Sequence, residues 1–251
     1  MQFISVVIIT FNEERNIGRC LASVKPITDD IVVVDSFSTD ATESICRGFN
    51  VNFIKRQWEG YAAAKNFGNA QARYDLVLSL DADEALAPEL QRSIIEIKNT
   101  WSGEACRFVR LTNYCGAWVR HGGWYPDIIV RIFDRRKTRW QGLVHEHLEG
   151  IAKKDAVLLR GDCFHYSYYS VAEHLKKAKR FADLSARELF SLGRKPSAIK
   201  LLLSPPVKFI RDYLLRLGFL DGRRGLFIAG ISAYATFRKY ARLRTLSRSS
   251  A

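Results

Sequence analysis

The chain lacks the features that mark secreted, membrane-spanning or disulfide-rich proteins. Its 251 residues include five cysteines, an odd number with no C-x-x-C spacing, which argues against a disulfide framework or a zinc site and for reduced thiols. No apolar run reaches the roughly 18 residues that predict a membrane span. The first residues carry no basic leader and no small-residue cleavage site, so we expect a cytoplasmic protein without a signal peptide.

Two phosphate-binding motifs are also absent. No G-x-G-x-x-G follows the first predicted strand, which argues against a dinucleotide-binding fold. No G-x-x-x-x-G-K-[ST] occurs either, which excludes a P-loop protein.

Positive charge is scarce in the first 150 residues and abundant afterwards. Residues 1–150 contain 18 Lys and Arg against 19 Asp and Glu, whereas residues 151–251 contain 21 against 7. We therefore expect an ordinary globular first part and a second part that lies against an anionic surface.

Strands and helices alternate along the first part of the sequence. Apolar runs predict strands at 3–10, 31–34, 51–54 and 74–80, with helical patterns between them. This rhythm is typical of a parallel α/β sheet. Ligands of such sheets bind beyond the carboxyl ends of the strands, where Asn12, Asp35 and Asp81 are found.

The sequence DADE at 81–84 directly follows a predicted buried strand. Mg²⁺ in proteins takes one or two carboxylates plus substrate phosphates, so Asp81 and Asp83 are candidate ligands of a metal–diphosphate complex. The alternative is an acidic turn before a helix that Pro88 opens. Asp40 is a candidate for plain helix capping.

Residues 106–149 have a different character. Strands are predicted at 107–111, 130–135 and 143–148, and the segment HGGWYPD at 121–127 mixes aromatic, Gly, His and Asp residues. Such a mixture suits a sugar-binding cleft, although any single Trp can equally be part of a core. His145 and His147 share one face of a predicted strand, with Glu146 on the other.

The motifs of the first part resemble those of family 2 glycosyltransferases. They are, in order, VVIITFNEE at 6–14, VVVDSFSTD at 32–40, KN at 65–66 and DADE at 81–84. Later segments resemble the bacterial lipopolysaccharide-core β-glucosyltransferase group, whose members transfer glucose or another sugar to inner-core heptose. They are RIFDRR at 131–136, WQGLVHE at 140–146, FHY at 164–166, and GFLDG at 218–222 with GL at 225–226.

The resemblance implies a GT-A fold, which is an α/β fold with a Rossmann-like, mainly parallel sheet, and an inverting reaction that uses a divalent cation, Mg²⁺ or Mn²⁺. It implies a nucleotide site built from Thr10, Phe11, Asn12, Glu14, Asp35, Ser36, Ser38, Lys65 and Asp81. It implies a metal site at Asp83 and Asp81, completed by His165. Many relatives carry a Glu-Asp pair as catalytic base, which this chain lacks; Glu146 lies in the comparable region, and Asp127 is the second choice.

The basic second part reads as helices. Residues 171–192 predict one helix, a break is predicted at Ser204-Pro205-Pro206, and an apolar stretch of 13 residues covers 225–237. That stretch is too short to span a bilayer but long enough to lie in its interface. We expect a catalytic domain at 1–170 and a helical, membrane-associated extension at 171–251, with packing on the catalytic domain as the alternative.

The sequence predicts transfer of a sugar from a nucleoside diphosphate sugar, with UDP first in line, to a lipid-linked saccharide, the inner-core heptose. The enzyme would lie peripherally on the cytoplasmic face of the inner membrane. A polyprenyl-phosphate glycosyltransferase of the same fold is the alternative. A nucleic-acid binder, suggested by the pI near 9.7, is disfavoured because the positive charge is confined to the tail and no reader motif occurs.

Overall fold

The computed structural model describes residues 2–103, 105–142, 146–195 and 197–249. The chain groups into two compact units. Unit 1 comprises residues 1–110 and 127–166, and unit 2 comprises residues 111–126 and 167–251.

The strands are β1 (Ile4–Thr10), β2 (Asp30–Asp35), β3 (Asn52–Lys55), β4 (Leu76–Asp81), β5 (Glu84–Leu86), β6 (Cys106–Tyr114), β7 (Ala117–Val119), β8 (Asp127–Asp134), β9 (Trp140–Gln141), β10 (His147–Leu148) and β11 (Val157–Tyr168). The helices are α1 (Ile17–Val24), α2 (Thr42–Arg47), α3 (Tyr61–Gln71), α4 (Pro88–Thr100), α5 (Val171–Ser191), α6 (Ala198–Ile210) and α7 (Gly222–Ser249). A π-helical segment, Arg211–Leu215, follows α6, and 3₁₀ turns lie at Lys153–Asp155 and Gly218–Asp221.

The central strand of unit 1 is β1, which pairs in parallel with β2 on one side and with β4 on the other. All seven of its residues are buried. Successive side chains of a strand point to opposite faces, so Val6 and Ile8 enter one hydrophobic cluster while Val7 and Ile9 enter a second. Burial on both faces requires the continuous apolar run that the sequence carries.

The order β3-β2-β1-β4 confirms the predicted parallel α/β sheet. The register aligns the carboxyl ends of its strands, because Thr10 lies opposite Asp35 and Ile9 lies opposite Asp81. The polar residues that end these strands therefore meet along one edge of the sheet.

Antiparallel strands continue the sheet beyond β4. β8 pairs with β4, β6 pairs with β8, and β5 pairs with β11. The last pairing sets His165 opposite Glu84, so a residue far along the chain reaches the DADE segment. Of the strand predicted at 143–148, His147–Leu148 is β10, and residues 143–145, including His145, lie outside the described residues.

Unit 2 contains the hairpin formed by β7 and the end of β6, followed by helices α5, α6 and α7. The Ser170 hydroxyl caps α5 by accepting the Glu173 N–H at 3.1 Å, and the Glu173 carboxylate accepts the Tyr169 N–H at 2.9 Å. A two-bonded pair between Arg238 and Asp183, at 3.0 and 2.8 Å, joins α7 to α5. This geometry is the stronger kind of ion pair because the guanidinium fork matches the carboxylate.

The predicted break at Pro205 and Pro206 is wrong, since α6 continues through both residues. A proline ring fixes φ near the helical value, and its cost is a lost N–H and a clash with the preceding turn. No described residue of α6 is buried, so the carbonyl groups that lose their partners can tilt outward rather than stay unpaired in a core. The backbone then widens into the π-helical segment that follows.

The apolar stretch at 225–237 lies within α7, and part of it is buried against neighbouring residues. Ile228, Ala229 and Ile231 are buried, and Ile228 joins a cluster with Tyr114 and Val119 of unit 2. Across the described ranges, no helix combines the length and hydropathy that crossing a membrane would require.

Candidate active site

The loops that follow β1 and β2 bind each other at the carboxyl edge. Asn12 adopts a left-handed backbone conformation with φ 54°, which asparagine tolerates better than most residues. Its N–H donates to the Ser38 hydroxyl at 2.8 Å, and its side-chain oxygen accepts the Thr39 N–H at 2.8 Å. The two loops therefore form one fixed wall at the predicted nucleotide pocket.

The same wall fixes Asp35, which is fully buried at the end of β2. Its carboxylate accepts the Ser38 N–H at 2.9 Å and the Ser38 hydroxyl. The buried Thr10 hydroxyl has no hydrogen-bond partner within the described ranges. Since buried polar groups are normally paired, this hydroxyl is an unsatisfied group at the end of β1. Phe11, the next residue, has 56% of its surface exposed.

Glu14 and Asp40 also join the loops that follow β1 and β2. The Glu14 carboxylate accepts the Ala41 N–H at 3.1 Å, and the Glu14 N–H donates to Asp40 at 3.1 Å. Asp40 also accepts the Thr42 N–H at 3.0 Å, so it pairs the first N–H of α2, although the N-cap residue itself is Ala41. Ser36 is tied through its N–H to the carbonyl of Thr10 at 3.0 Å. Of the side chains predicted to line the nucleotide pocket, Glu14 thus has an evident structural role.

Asp81 ends β4 between two cations. Arg131 Nη2 donates to Asp81 Oδ2 at 2.8 Å, and Lys65 Nζ lies 3.1 Å from Oδ1, in an ion pair without good hydrogen-bond angles. Burial alone would raise the pKa of Asp81, but the charges of Arg131 and Lys65 hold that pKa well below its usual range. Asp81 is therefore a fixed anion whose oxygens already face positive charge.

Asp83 faces His165, with Oδ2 3.3 Å from Nε2. The antiparallel pairing of β5 with β11 creates this contact, and the Tyr166 N–H donates to the Asp83 carbonyl at 2.8 Å. Both side chains keep some exposure, 18% and 16%. No three His, Cys, Asp or Glu side chains form a metal-binding group within the described ranges, so the structure brings Asp83 and His165 together but leaves Asp81 with its cations.

The ion pairs continue through the interior of unit 1. Glu84 is buried, accepts the Asp81 N–H at 3.0 Å, and binds Arg131 at 3.1 Å and Arg110 at 3.0 Å. Arg110 in turn binds Asp127 at 2.7 Å. Burial would lower the pKa of each arginine, yet the carboxylates around Arg131 and Arg110 raise it. These two arginines stay charged and offset the negative charge of Glu84, the last residue of the DADE motif.

The opposite end of this series is Glu146. Lys65 is completely buried, and its Nζ donates to Glu146 Oε1 at 2.7 Å. Glu146, Lys65, Asp81, Arg131, Glu84, Arg110 and Asp127 thus form one ion-pair chain of alternating sign. The two candidate bases, Glu146 and Asp127, are its two ends.

Asn66 holds the backbone of β9 at Trp140. Its side-chain amide donates to the Trp140 carbonyl at 2.9 Å and accepts the Trp140 N–H at 2.9 Å. The Trp140 ring is buried, with Lys65 Nζ 4.8 Å from its centre. Adjacent residues on α3 thus hold the backbone of β9 and the carboxylate of Glu146.

Several residues of the site were not predicted individually. The motifs RIFDRR and WQGLVHE include Arg131 and Trp140 without singling them out, and no motif contains Arg110. A sequence does not reveal which arginine is buried opposite which acid. The signal that could have found Arg131 is its place inside an apolar strand pattern, where an unpaired charge would be costly. Trp124 of the HGGWYPD segment packs edge-on against Tyr114 in unit 2, with ring centres 5.8 Å apart, and is therefore part of a core.

Known glycosyltransferases are similar to this chain in sequence. The sequence model described as glycosyl transferase family 2 matches residues 5–150. A glycosyltransferase of Rickettsia typhi, itself uncharacterized, is 31% identical and the alignment covers 98% of this chain and 88% of the relative. The lipopolysaccharide core biosynthesis glycosyltransferase LpsC of Rhizobium meliloti is 27% identical, with 95% of this chain and 93% of LpsC covered.

Among solved structures, glucosyl-3-phosphoglycerate synthase from Mycobacterium tuberculosis, crystallised with Mn²⁺, UDP and glucosyl-3-phosphoglycerate, matches 45% of this chain and 44% of its own. The TM-score is 0.38 at 23% identity, a similarity that adds nothing about the site. The family match covers more than half of the sequence, and the full-length relative spans nearly all of it. This protein therefore belongs to glycosyltransferase family 2, with the GT-A fold that its motifs predicted.

Proposed function

We propose that this glycosyltransferase transfers a sugar, glucose being our first expectation, from a UDP-sugar to the heptose of a lipopolysaccharide inner core. The transfer inverts the configuration at the anomeric carbon. LpsC, a lipopolysaccharide core biosynthesis glycosyltransferase that aligns with 95% of this chain, supports an acceptor in the lipopolysaccharide core. The observation that carries the proposal is the pair of contacts made by Lys65, which binds both the D-x-D residue Asp81 and the candidate base Glu146.

The proposed chemistry is a single displacement. Glu146 takes the proton of the acceptor hydroxyl while that oxygen forms a bond to the anomeric carbon, and the bond from that carbon to the diphosphate breaks on the opposite face. Lys65 orients the Glu146 carboxylate, and a general base must lie within hydrogen-bond reach of the hydroxyl whose proton it takes. Asp127, 36% exposed and held by Arg110, is the second candidate. Fixed positions of both substrates supply much of the acceleration.

The donor set at Asp83 and His165 fits a divalent cation. The carboxylate suits Mn²⁺ or Mg²⁺, whereas the imidazole favours the transition metal Mn²⁺ over the harder Mg²⁺, and two protein ligands would leave coordination positions for diphosphate oxygens. A cation held there would offset the charge that develops on the leaving diphosphate. Asp81, by contrast, would act through Lys65 and Arg131, which it holds at the same edge.

The nucleotide would lie against the wall formed by the loops after β1 and β2. The unpartnered Thr10 hydroxyl and the exposed Phe11 ring are a polar and an apolar contact at the edge where such ligands bind. Asp35 and Ser38 are already bonded to each other, so we infer that they keep the wall in shape and offer their remaining lone pairs to the base or ribose.

We propose that unit 2 docks on an anionic membrane through α6 and the turns after it. Exposed apolar side chains in this region, which we call the α6 surface, are Ile199, Leu202, Leu203, Val207, Ile210, Leu214, Leu215, Leu217, Phe219 and Leu220. An exposed apolar area of this extent marks an interaction surface. Lys200, Lys208 and Arg211 on the same segment would attract anionic lipid headgroups. The enzyme would then lie peripherally on the cytoplasmic face of the inner membrane.

A transfer assay tests the proposal. Purified protein, UDP-glucose labelled in the sugar, Mn²⁺ and a core lipopolysaccharide that ends in heptose should yield labelled lipopolysaccharide with a β-linked glucose, identified by NMR of the released oligosaccharide. Label that appears instead in polyprenyl phosphate would replace the proposed acceptor by the alternative. Absence of transfer with UDP-, GDP- and CMP-activated sugars to either acceptor would contradict the proposed activity.

A further inference from the structure

Unit 2 contains a basic pocket that the transfer chemistry does not use. It has a volume of about 430 Å³ and is lined by Arg120, His121, Gly123, Tyr125, Pro126 and Arg216. That volume lies in the range of small-molecule sites. Four of the six residues belong to the HGGWYPD segment, whose composition suggested recognition of a saccharide.

Asp221 holds one side of the pocket in place. Its carboxylate accepts the backbone N–H groups of Arg120 at 3.2 Å and of His121 at 2.9 Å, and it lies 3.0 Å from Nδ1 of the His121 ring. Three nitrogen atoms therefore hold the Asp221 carboxylate in place. The backbone of Arg120 is fixed by these bonds, and its guanidinium lies 5.2 Å from the centre of the Tyr125 ring.

Arg216 forms the other side by lying directly against the backbone of Gly123. A Cβ atom on that glycine would come within 2.3 Å of Arg216 Nη1, and the glycine has φ 81°. The Gly122 N–H also donates to the Arg216 carbonyl at 2.9 Å. The positive φ favours glycine here, and the guanidinium of Arg216 occupies the space that a side chain would take.

Positive charge exceeds negative charge at Arg216. Lys208, Arg211 and Arg216 all approach the one carboxylate of Asp212, at 2.5, 3.1 and 3.6 Å, and that side chain is only 3% exposed. Three cations on one carboxylate leave two net positive charges. A second anion would be stabilised next to them, and Arg216 makes the longest of the three contacts.

We propose that this basic pocket binds a phosphate monoester carried by the acceptor, and that Arg120 and Arg216 contact the phosphate. Guanidinium groups recognise phosphate through paired N–H donors. A phosphate monoester carries close to two negative charges at neutral pH, which Arg120 and the net positive charge around Asp212, of which Arg216 is a part, would attract. Tyr125 would pack on the attached sugar or glycerol. The inference depends on the proposed function only for the molecule that presents the phosphate.

The test measures binding without any donor sugar. Glucose 6-phosphate is titrated into the full-length protein while the arginine Nε–Hε signals are followed by NMR, with the single variants Arg120→Gln and Arg216→Gln assigning the two signals. We expect saturable shifts of both signals, no shift with glucose, and at least tenfold weaker binding in the double variant Arg120→Gln/Arg216→Gln. The control double variant Arg244→Gln/Arg248→Gln, which removes the same charge from α7, should bind within twofold of the unaltered protein.

Vesicles separate the two sources of the phosphate. Preference for phosphatidic acid over phosphatidylglycerol at equal surface charge, lost in the pocket variant alone, would assign the phosphate to a lipid headgroup. Binding of glucose 6-phosphate without that preference would assign it to a phosphorylated saccharide. Equal weakening in pocket and control variants, or no saturable shift, would overturn the proposal. Protein that binds the phosphate but transfers no sugar would reject the proposed function and leave the pocket standing.

Discussion

Lys65 Nζ lies 2.7 Å from Glu146 Oε1 although the two residues are 81 positions apart, and the lysine is completely buried. A buried lysine is stable as a cation only if acids surround it, and here Asp81 and Glu146 do so. The contact connects the donor side of the site to the candidate base.

Glu146→Gln should lower kcat by about 10²- to 10⁴-fold, the range that a general base contributes. The glutamine oxygen can still accept from Lys65, so the fold and the KM for the donor should be unchanged. Steady-state kinetics with the heptose-terminated acceptor measures this effect.

The control for Glu146 is Glu149→Gln, three residues further along the chain and exposed in a pair with Arg139. It should retain nearly full activity. If Glu146→Gln also retains most of its rate, Glu146 is not the base. A large loss in Asp127→Asn would then assign that role to Asp127. Unchanged rates in both variants would favour polyprenyl phosphate as acceptor, because an attacking phosphate oxygen needs no strong base.

Asn66→Ala should reduce kcat more than it changes the KM for the donor. The substitution leaves the N–H and the carbonyl of Trp140 without the side-chain partner that now binds both, which costs about 1–3 kcal/mol for buried groups. The backbone of β9, whose Trp140 ring lies 4.8 Å from Lys65 Nζ, would lose its anchor. Urea denaturation and kinetics should reveal both effects; Asn69→Ala on the same helix, whose side-chain oxygen has no hydrogen-bond partner in the described ranges, should have less effect on kcat. Equal effects of the two substitutions on kcat would contradict the assignment.

Asp81 should make stability depend on pH in acid. Its pKa in the folded protein lies below the unfolded value of about 3.9, so the folded state binds fewer protons and stability falls as pH drops. The stabilising contribution is fully present above the unfolded pKa and is lost as the pH approaches the folded pKa. The difference in unfolding free energy between the unaltered protein and Asp81→Asn, measured from pH 6 to pH 3, should shrink below about pH 4. A difference that grows toward low pH would contradict this account.

The α6 surface should account for vesicle binding. The double variant Leu202→Gln/Val207→Gln replaces side chains that are 69% and 60% exposed, and should weaken partitioning to anionic vesicles by about tenfold or more, since each fully buried side chain of this kind contributes about 1.5–3 kcal/mol. Ile95→Gln/Leu158→Gln, on exposed apolar positions of unit 1, is the matched control. Equal sedimentation of both variants with the vesicles would rule out the α6 surface as the docking site.

Strand ends were predictable from the sequence because they depend on local pattern. The buried runs before Thr10, Asp35 and Asp81 ended where predicted within a residue or two, and parallel pairing then aligned their carboxyl ends. Pro88 began α4 as expected. These features follow from backbone geometry and from burial on both faces of the sheet.

Long-range partners were not predictable. Arg131 reaches Asp81 because β8 pairs antiparallel with β4 in a particular register, and Lys65 contacts Glu146 across 81 positions of the chain. The helix through Pro205 and Pro206 was missed for a related reason, since local propensity was overridden by the surrounding helices of unit 2. Each case depends on contacts between residues far apart in the chain.

The central claim is that this edge of the sheet holds a nucleotide diphosphate with a cation at Asp83, and calorimetric titration with UDP tests it most directly. In the presence of Mn²⁺ we expect saturable binding that EDTA abolishes, that Asp83→Asn lowers by at least about tenfold, equivalent to 1.4 kcal/mol, and that the exposed Asp155→Asn leaves unchanged. Binding of UDP that is insensitive to EDTA and to Asp83→Asn would contradict the cation site, and lack of any binding by UDP, GDP or CMP would contradict the nucleotide site itself.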